Sequence, residues 1–346
     1  MSYGLYIHIP FCVSKCSYCD FLSFESTDYE PYVQALLTEL KSAHITNKVD
    51  TVYIGGGTPT ALPSPFLYEI LQEVHNFNLT PDAEITVETN PNSQLPDLKS
   101  YGVNRLSIGL QAWQDDLLGR IKRTHTAHDF TKTIQTAKAA GIHNINVDLM
   151  FGLPGQTMAH WKESITQVLA LNPTHISTYS LTPAENTPMW DEQDNLPDES
   201  TDRAMYHKAI NLLTSAGYQH YELSNFAKPG YRSRHNVNCW RRKPYIGFGL
   251  GAHSFDGTTR WNNSTNITQY LSGSKKENIQ ILTSQDAAAE IMFLGLRMTE
   301  GISPPPQFKP SIDKLIDKGL LTYNDEKIAL TPQGLDLANQ VFTEFI

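Results

Sequence analysis

From residue 2 to about residue 182 the chain alternates short apolar or β-branched runs with longer stretches whose apolar residues recur at i, i+3 and i+4. The runs at 4–9, 51–54, 84–88, 105–109, 144–150 and 175–181 predict six strands. The stretches at 30–43, 65–76, 127–140 and 159–171 predict helices, the third closed by Gly141 as a helix C-cap. Strands separated by helices read as βα units around a parallel sheet. Six units are too few for an eight-stranded barrel, so the pattern predicts a partial, open (β/α)6 barrel of the α/β class.

The alternation breaks down after Thr182. Residues 183–200 are rich in Pro, Asp, Glu and Asn and read as an irregular acidic crossing loop. A helix at 202–216, closed by Gly217, and a strand at 218–225 follow. Then come His235-Asn236-Val237-Asn238-Cys239-Trp240 and a glycine-rich stretch over 245–254. From 285 to 346 there are three helical patterns, with a predicted hairpin of 320–323 and 327–330 around Asn324-Asp325-Glu326 between the second and third. Helices with such a wing predict a small α+β, winged-helix-like module. The expected divisions are therefore 1–182 for the barrel, 183–284 for a linking α/β region and 285–346 for the module.

At 346 residues, with 40% apolar and 18% charged residues, the chain can bury a large core. Its formal charge of −9 speaks against a general nucleic-acid binder. Winged modules often bind DNA, but Lys and Arg do not dominate this one, and the densest basic run, Arg241-Arg242-Lys243, reads as a solvated face. The N-terminus has neither a charged nor an apolar leader region, and no stretch reaches the ~20 apolar residues of a membrane span. A cytoplasmic protein is expected, and four cysteines, three of them in one loop, suit thiolate ligation rather than a disulfide framework.

In parallel α/β folds ligands bind at the carboxyl ends of the strands, and the polar punctuation falls there. After the first predicted strand come Cys12, Cys16 and Cys19, spaced C-x3-C-x2-C. Three thiolates in one loop can hold a cubane iron–sulfur cluster and leave one iron without a cysteine. A zinc clip is the alternative, although no second ligand pair is present. After the second strand Gly55-Gly56-Gly57-Thr58-Pro59-Thr60 offers backbone N–H groups to an anionic ligand, or simply a tight turn. Glu88 ends the third strand, the fourth leads to Gln111, and the fifth carries Asp148 among apolar neighbours. A buried carboxylate needs a partner: a ligand in a shared site, or a structural bond to a loop amide or to an arginine such as Arg105.

Four segments then carry a family resemblance. Tyr6-Ile7-His8-Ile9-Pro10-Phe11-Cys12 with its cysteine spacing, the 55–60 glycine turn, Ser107-Ile108-Gly109-Leu110-Gln111, and Asp148 through Thr157 resemble radical S-adenosylmethionine proteins. The nearer likeness is to the branch that holds oxygen-independent coproporphyrinogen III oxidase and related heme chaperones. The resemblance implies a [4Fe-4S] cluster on Cys12, Cys16 and Cys19, with S-adenosylmethionine chelating the open iron. It further implies S-adenosylmethionine contacts at Tyr6, Tyr18, Gly56, Gly57, Thr58, Glu88, Gln111, Arg123 and Asp148, and at His253. One electron from the cluster would break a carbon–sulfur bond and release a 5′-deoxyadenosyl radical, chemistry that belongs to the cofactor.

Two departures separate this chain from the oxidase. The oxidase pattern calls for a fourth cysteine two positions after the third, where this chain has Phe21, and for an N-terminal extension. Coproporphyrinogen dehydrogenase activity is therefore not the expected function. The hexapeptide 235–240 resembles the chaperones' H-N-x-x-Y-W heme-associated motif, with Cys239 in the tyrosine position. His235 or Cys239 could ligate heme iron and Trp240 could stack on the macrocycle, or the three could be ordinary packing residues. The resemblance thus implies a heme chaperone with heme as cargo, acceptor hemoproteins and an electron donor as partners, no nucleic acid, and membrane contact only through partners. The alternatives are the oxidase and a radical enzyme acting on an unrelated substrate.

Overall fold

The computed structural model describes residues 2–91, 95–273 and 276–346. All six predicted strands form: β1 Tyr3–Ile9, β2 Val49–Gly56, β3 Leu79–Thr89, β4 Arg105–Gln111, β5 Asn144–Phe151 and β6 His175–Ser180. They lie side by side in chain order, every neighbouring pair parallel. Helices α1 Glu30–Ser42, α2 Ser64–Val74, α3 Ala127–Ala139 and α4 Met158–Ala170 lie in four of the five connections, and a 3-10 helix, Lys99–Tyr101, lies in the one between β3 and β4. Capping boxes start α3 and α4: the Thr126 and Thr157 hydroxyls accept the N–H of Asp129 and of His160, whose side chains return the bond. The partial (β/α)6 barrel read from the sequence is present.

Each barrel strand has two unlike faces. Val52, Ile54, Ile85, Val87, Leu106, Ile108, Ile145, Val147, Leu149 and Ile176 belong to the main hydrophobic cluster together with the helices. The intervening positions, Tyr53, Glu88, Arg105, Ser107, Asn146, Asp148, Ser177 and Tyr179, line the lumen. With a side-chain period of two, the apolar set packs under the helices and the polar set collects inside. This explains why charged residues interrupt otherwise apolar runs.

Beyond residue 182 the structure is more regular than the sequence pattern indicates. The expected acidic loop contains a 3-10 helix, Pro188–Asn195, before α5, Glu199–Ser215. The single strand expected at 218–225 is two, β7 Gln219–Glu222 and β8 Asn225–Ala227. Glu222 Oε2 accepts the Ser224 N–H and the Asn225 side-chain amide at the bend between them. The hexapeptide 235–240 lies in a short helix, α6 Arg234–Trp240. The glycine-rich stretch holds β9 Tyr245–Phe248 and β10 His253–Phe255, and β11 Thr259–Asn263 and β12 Lys276–Ile281 follow. One sheet of twelve strands results, in the order β12-β11-β10-β9-β1-β2-β3-β4-β5-β6-β8-β7, with β9 parallel to β1.

Helix α6 closes the barrel where the strands begin. Both oxygens of Glu84 accept backbone N–H groups at its start, Oε2 from Arg234 at 3.2 Å and Oε1 from His235 at 3.1 Å. Asn238 donates to Asp50 Oδ1 at 3.2 Å. The C-terminal part has its own cluster, including Met292, Leu296, Ile312, Leu315, Ile328 and Val341. It comprises α7 Ser284–Gly295, α8 Lys309–Asp317 and the hairpin of β13 Leu321–Asn324 with β14 Lys327–Leu330. The third helical pattern is two short helices, α9 Pro332–Asp336 and α10 Ala338–Thr343, meeting at Leu337. Glu290 on α7 pairs with Arg242 at 2.5 Å and Arg260 at 2.7 Å, docking the winged-helix-like module on the sheet.

Candidate cofactor site

The cysteine loop leaves the end of β1 and is fixed from below. The Tyr6 hydroxyl lies 3.0 Å from His8 Nδ1, and His8 Nε2 lies 2.8 Å from the Leu22 carbonyl, just past the third cysteine. Burial lowers the His8 pKa, so a neutral ring that accepts at Nδ1 and donates at Nε2 satisfies both bonds. From above, Lys15 Nζ donates to the carbonyls of Phe21 and Ser23, and the Lys15 N–H to Glu25. The thiols of Cys12, Cys16 and Cys19 are free and half-buried. Burial pushes the thiols of Cys12 and Cys19 up. Among the described residues no three His, Cys, Asp or Glu side chains converge on a single-ion site.

The thiols open on a cavity of about 140 Å3, lined also by Tyr18, Gly56, Gly57, Thr58, Glu88, Gln111, Arg123 and Asp148. The glycine turn has no room for side chains. A Cβ on Gly57 would come within 2.6 Å of the Phe11 carbonyl oxygen, and Gly56, at φ +115°, would press one into the His8 ring. Gln111 ends β4 at φ +72°, a backbone region that a non-glycine residue rarely adopts. Thr58 Oγ1 lies 3.9 Å from Cys12 Sγ and accepts from Asn90 Nδ2 at 2.9 Å. Asn90 Oδ1 accepts from Arg123 Nη2 at 2.8 Å, and Arg123 Nη1 donates to Cys16 Sγ at 3.4 Å. Two of the thiols are thereby tied through three side chains drawn from three loops.

The hydrogen bonds described for the two carboxylates come from groups other than arginine, although Arg105 acts on both through its charge. The Tyr53 hydroxyl donates to Glu88 Oε1 at 2.6 Å and the Gly56 N–H to Oε2 at 3.1 Å. Asp148 accepts from Asn146 at 2.8 Å and from Ser107 at 3.2 Å. Burial, with the charge of Asp148 adding to it, raises Glu88 to about 7. Burial likewise raises Asp148. Burial works against the Arg123 charge, but Tyr18 and Cys16 together raise its pKa. Arg123 Nε is buried with no partner among the described residues.

The remaining predicted residues lie elsewhere. Tyr6 is beneath the loop, its ring against Tyr53 and its hydroxyl engaged by His8, and is not among the lining residues. His253 is exposed on β10, also outside the lining. His235 is buried at the barrel base, its Nδ1 3.0 Å from Thr51 Oγ1 and its ring against Tyr53. Burial lowers it to about 4. Burial pushes the Cys239 thiol up to about 12. Trp240 packs near Tyr221, Ala227 and Met298, with the Arg297 guanidinium 4.3 Å over its ring. These three side chains share one helix and are not brought to the cysteine cavity.

Asn90 and Tyr179 are lumen or cavity residues outside the predicted site, Ser107 figures in the sequence only within the 107–111 segment, and Arg105 only as a structural partner for a carboxylate. Their signal was position: each lies on or directly after a barrel strand, on its inward face. A larger recess, about 1110 Å3, lies between α1 and strands β9 and β11. Its facing carboxylate, Glu39, is satisfied by the Gly249 N–H, Asn263 and Tyr270, and no predicted site residue lines it.

Comparison with known proteins agrees with this architecture. Residues 6–168 match the family model of the Radical SAM superfamily, and residues 282–337 match that of the HemN C-terminal domain. The chain is 36% identical to the heme chaperone HemW of Bacillus subtilis (strain 168), over 99% of its own length and 98% of that protein. It is 35% identical to the heme chaperone HemW of Escherichia coli (strain K12), with the same coverage. Among solved structures, the coproporphyrinogen III oxidase HemN from Escherichia coli superposes with a TM-score of 0.87 at 23% identity, covering 99% of this chain and 90% of that one. At that identity the likeness speaks to the fold alone. An end-to-end match to the HemW proteins, rather than a shared barrel only, places this chain in the HemW heme chaperone family of the radical SAM superfamily.

Proposed function

We propose that this protein binds heme and passes it to acceptor hemoproteins, and that it carries a [4Fe-4S] cluster and S-adenosylmethionine in the barrel mouth. The observation that carries the reading is the end-to-end similarity to heme chaperones, together with Phe21 at the position where the oxidase pattern needs a cysteine. Phe21 is 64% exposed on the rim of the cavity.

The residues present fit both cofactors. Three free thiols on one stitched loop suit a cluster with an open iron. The glycine cradle suits the methionyl end of S-adenosylmethionine, and Arg123, whose Nε is unbonded, lines the same cavity. Glu88, Asp148, Gln111 and Tyr18 would orient the nucleoside end, the two carboxylates suiting ribose hydroxyls. Tyr6 and His8 would act from beneath by fixing the loop, and His253 would need a different conformation to reach the site. When bound, the reduced cluster would supply one electron to the sulfonium. The chain's own part is to hold the thiols, keep water out and set the protonation of Glu88.

Heme would be gathered by the linking region and the C-terminal module, with His235, Cys239 and Trp240 released from the barrel base if they serve as its ligands. The reading also includes a cytoplasmic setting, an electron donor for the cluster, no role for nucleic acid, and membrane contact only through partners. Among the described residues no helix is long and apolar enough to cross a membrane. The test is anaerobic reconstitution followed by heme titration. A saturable complex with a shifted Soret band is expected, unchanged in His235→Ala and Cys239→Ala if the motif is structural. Absence of heme binding, or turnover of coproporphyrinogen III, overturns the reading.

A further inference from the structure

Arg105 opens β4 at the closed end of the lumen and is 2% exposed. Its Nε is buried without a hydrogen-bond partner, and its charge works to lower the pKa of Glu88 and of Asp148 without a hydrogen bond to either. The other arginines in and around this half of the molecule are answered: Arg242 and Arg260 by Glu290, Arg297 by Glu222. Nor are the acids nearby available to Arg105. Glu84 is occupied by the backbone of α6, Glu88 by Tyr53 and Gly56, Asp148 by Asn146 and Ser107, and Glu222 by Arg297. Burying a guanidinium whose donors go unbonded is costly, and with the nearest carboxylates hydrogen-bonded to other groups its fork is left open to an outside acceptor.

The space in front of it has the size and chemistry of a ligand site. Arg105 lines a cavity of about 370 Å3 with Asn146, Ser177, Tyr179 and, from α6, Asn236. Small-molecule pockets run from about 300 to 1,000 Å3 with a few converging polar groups. This cavity shares Tyr18, Phe21, Glu88, Gln111 and Asp148 with the thiol cavity, so a molecule entering at the mouth can reach the base.

We propose that the closed half of the lumen is a binding site for an organic carboxylate, gripped by the Arg105 guanidinium with the side-chain amide of Asn236 beside it. The planar fork of arginine matches the two oxygens of a carboxylate. The carboxylate could belong to a free small acid or to the propionate arm of a tetrapyrrole lying at the mouth. Only the second source rests on the heme-chaperone reading.

The experiment titrates the protein with propionate and with succinate by calorimetry, and separately with heme and with heme dimethyl ester by absorption. Wild type should bind the free acids saturably, Arg105→Gln at least tenfold more weakly, and Arg105→Lys in between, because it keeps the charge and loses the fork. If the ester binds at least tenfold more weakly than heme in wild type but not in Arg105→Gln, the propionate arm is the source. If ester and heme bind alike while the free acids depend on Arg105, the source is a free acid. If wild type neither binds the acids nor distinguishes heme from its ester, the proposal fails, and these wild-type arms decide even if Arg105→Gln does not fold. It fails as well if Arg105→Gln weakens S-adenosylmethionine binding as much as carboxylate binding, since Arg105 would then serve that cofactor.

Discussion

At the base of the barrel the polar groups answer one another. Glu84 takes two N–H groups of α6, Asp50 takes Asn238 and the Ser2 hydroxyl, and Thr51 meets His235. At the mouth, built from the far ends of the same strands, three thiols are free and Arg123 Nε is orphaned, while Gln111 has a left-handed backbone and Val13 and Phe21 stand in solvent. One end is finished by the chain, and the other is shaped to be finished by something else. At the finished end Thr86 Oγ1, Trp240 Nε1 and Arg105 Nε are buried without hydrogen-bond partners, and of these only Arg105 carries a charge, which marks it as a binding group rather than as part of the frame.

The contrast can be broken most severely at the mouth. Replacing any one of Cys12, Cys16 or Cys19 with alanine should abolish visible iron–sulfur absorption after anaerobic reconstitution, while far-UV circular dichroism and melting of the apo protein stay near wild type. A melt lowered as much as by a core substitution would make the thiols part of the frame instead.

Next in size are opposite pH responses at the two ends. Glu88 has its pKa raised from 4.5 to about 7, so between those values the folded state holds a proton that the unfolded state has lost, and stability falls as pH rises. Glu88→Gln should remove that loss, gaining about 3 kcal/mol relative to wild type at pH 8 over its effect at pH 4. His235 has its pKa lowered from 6.5 to about 4, so its stability contribution is present above 6.5 and is lost as pH falls toward 4. His235→Gln should therefore gain about 3 kcal/mol at pH 4 relative to pH 8, the reverse dependence. Denaturant melts of both variants at the two pH values measure this, and equal slopes would erase the distinction.

Smaller effects sharpen the comparison. Glu84→Ala leaves the N–H groups of Arg234 and His235 unanswered and should cost about 2 kcal/mol in urea unfolding, without changing cluster absorption. Asn90→Ala interrupts the path from Thr58 to Arg123 and should cost about 1 kcal/mol, with a reconstituted cluster that bleaches faster in air.

The six barrel strands were legible because each carries apolar residues on the face that the helices cover, and the cysteine spacing and glycine turn mark the mouth directly. Four strands between 245 and 281 were not read as strands. Gly247, Gly249 and Gly251, with a polar segment such as Thr259–Asn263, give no apolar run, and pairing to β1 and along the added sheet edge supplies the order instead. Helix α6 has no amphipathic stripe; Ser233 and the distant Glu84 fix its start. Arg105 was weighed only as a partner for Glu88 or Asp148. The sequence cannot show that Tyr53, Gly56, Ser107 and Asn146 reach those carboxylates first.

The parallel pairing of β9 with β1 also orders events during synthesis. A chain made from its N-terminus gives β1 one neighbour as soon as β2 has emerged, but the other flank of β1 stays an open edge until residues 245–248 leave the ribosome. The cysteine loop hangs from that half-paired strand through most of translation. Until then Tyr32, whose hydroxyl joins the His8 carbonyl to the Leu250 N–H, can make only the first of those bonds. The mouth therefore takes its final shape late, and a nascent chain stalled before residue 245 should present its three thiols to alkylating reagents far more readily than the finished protein does.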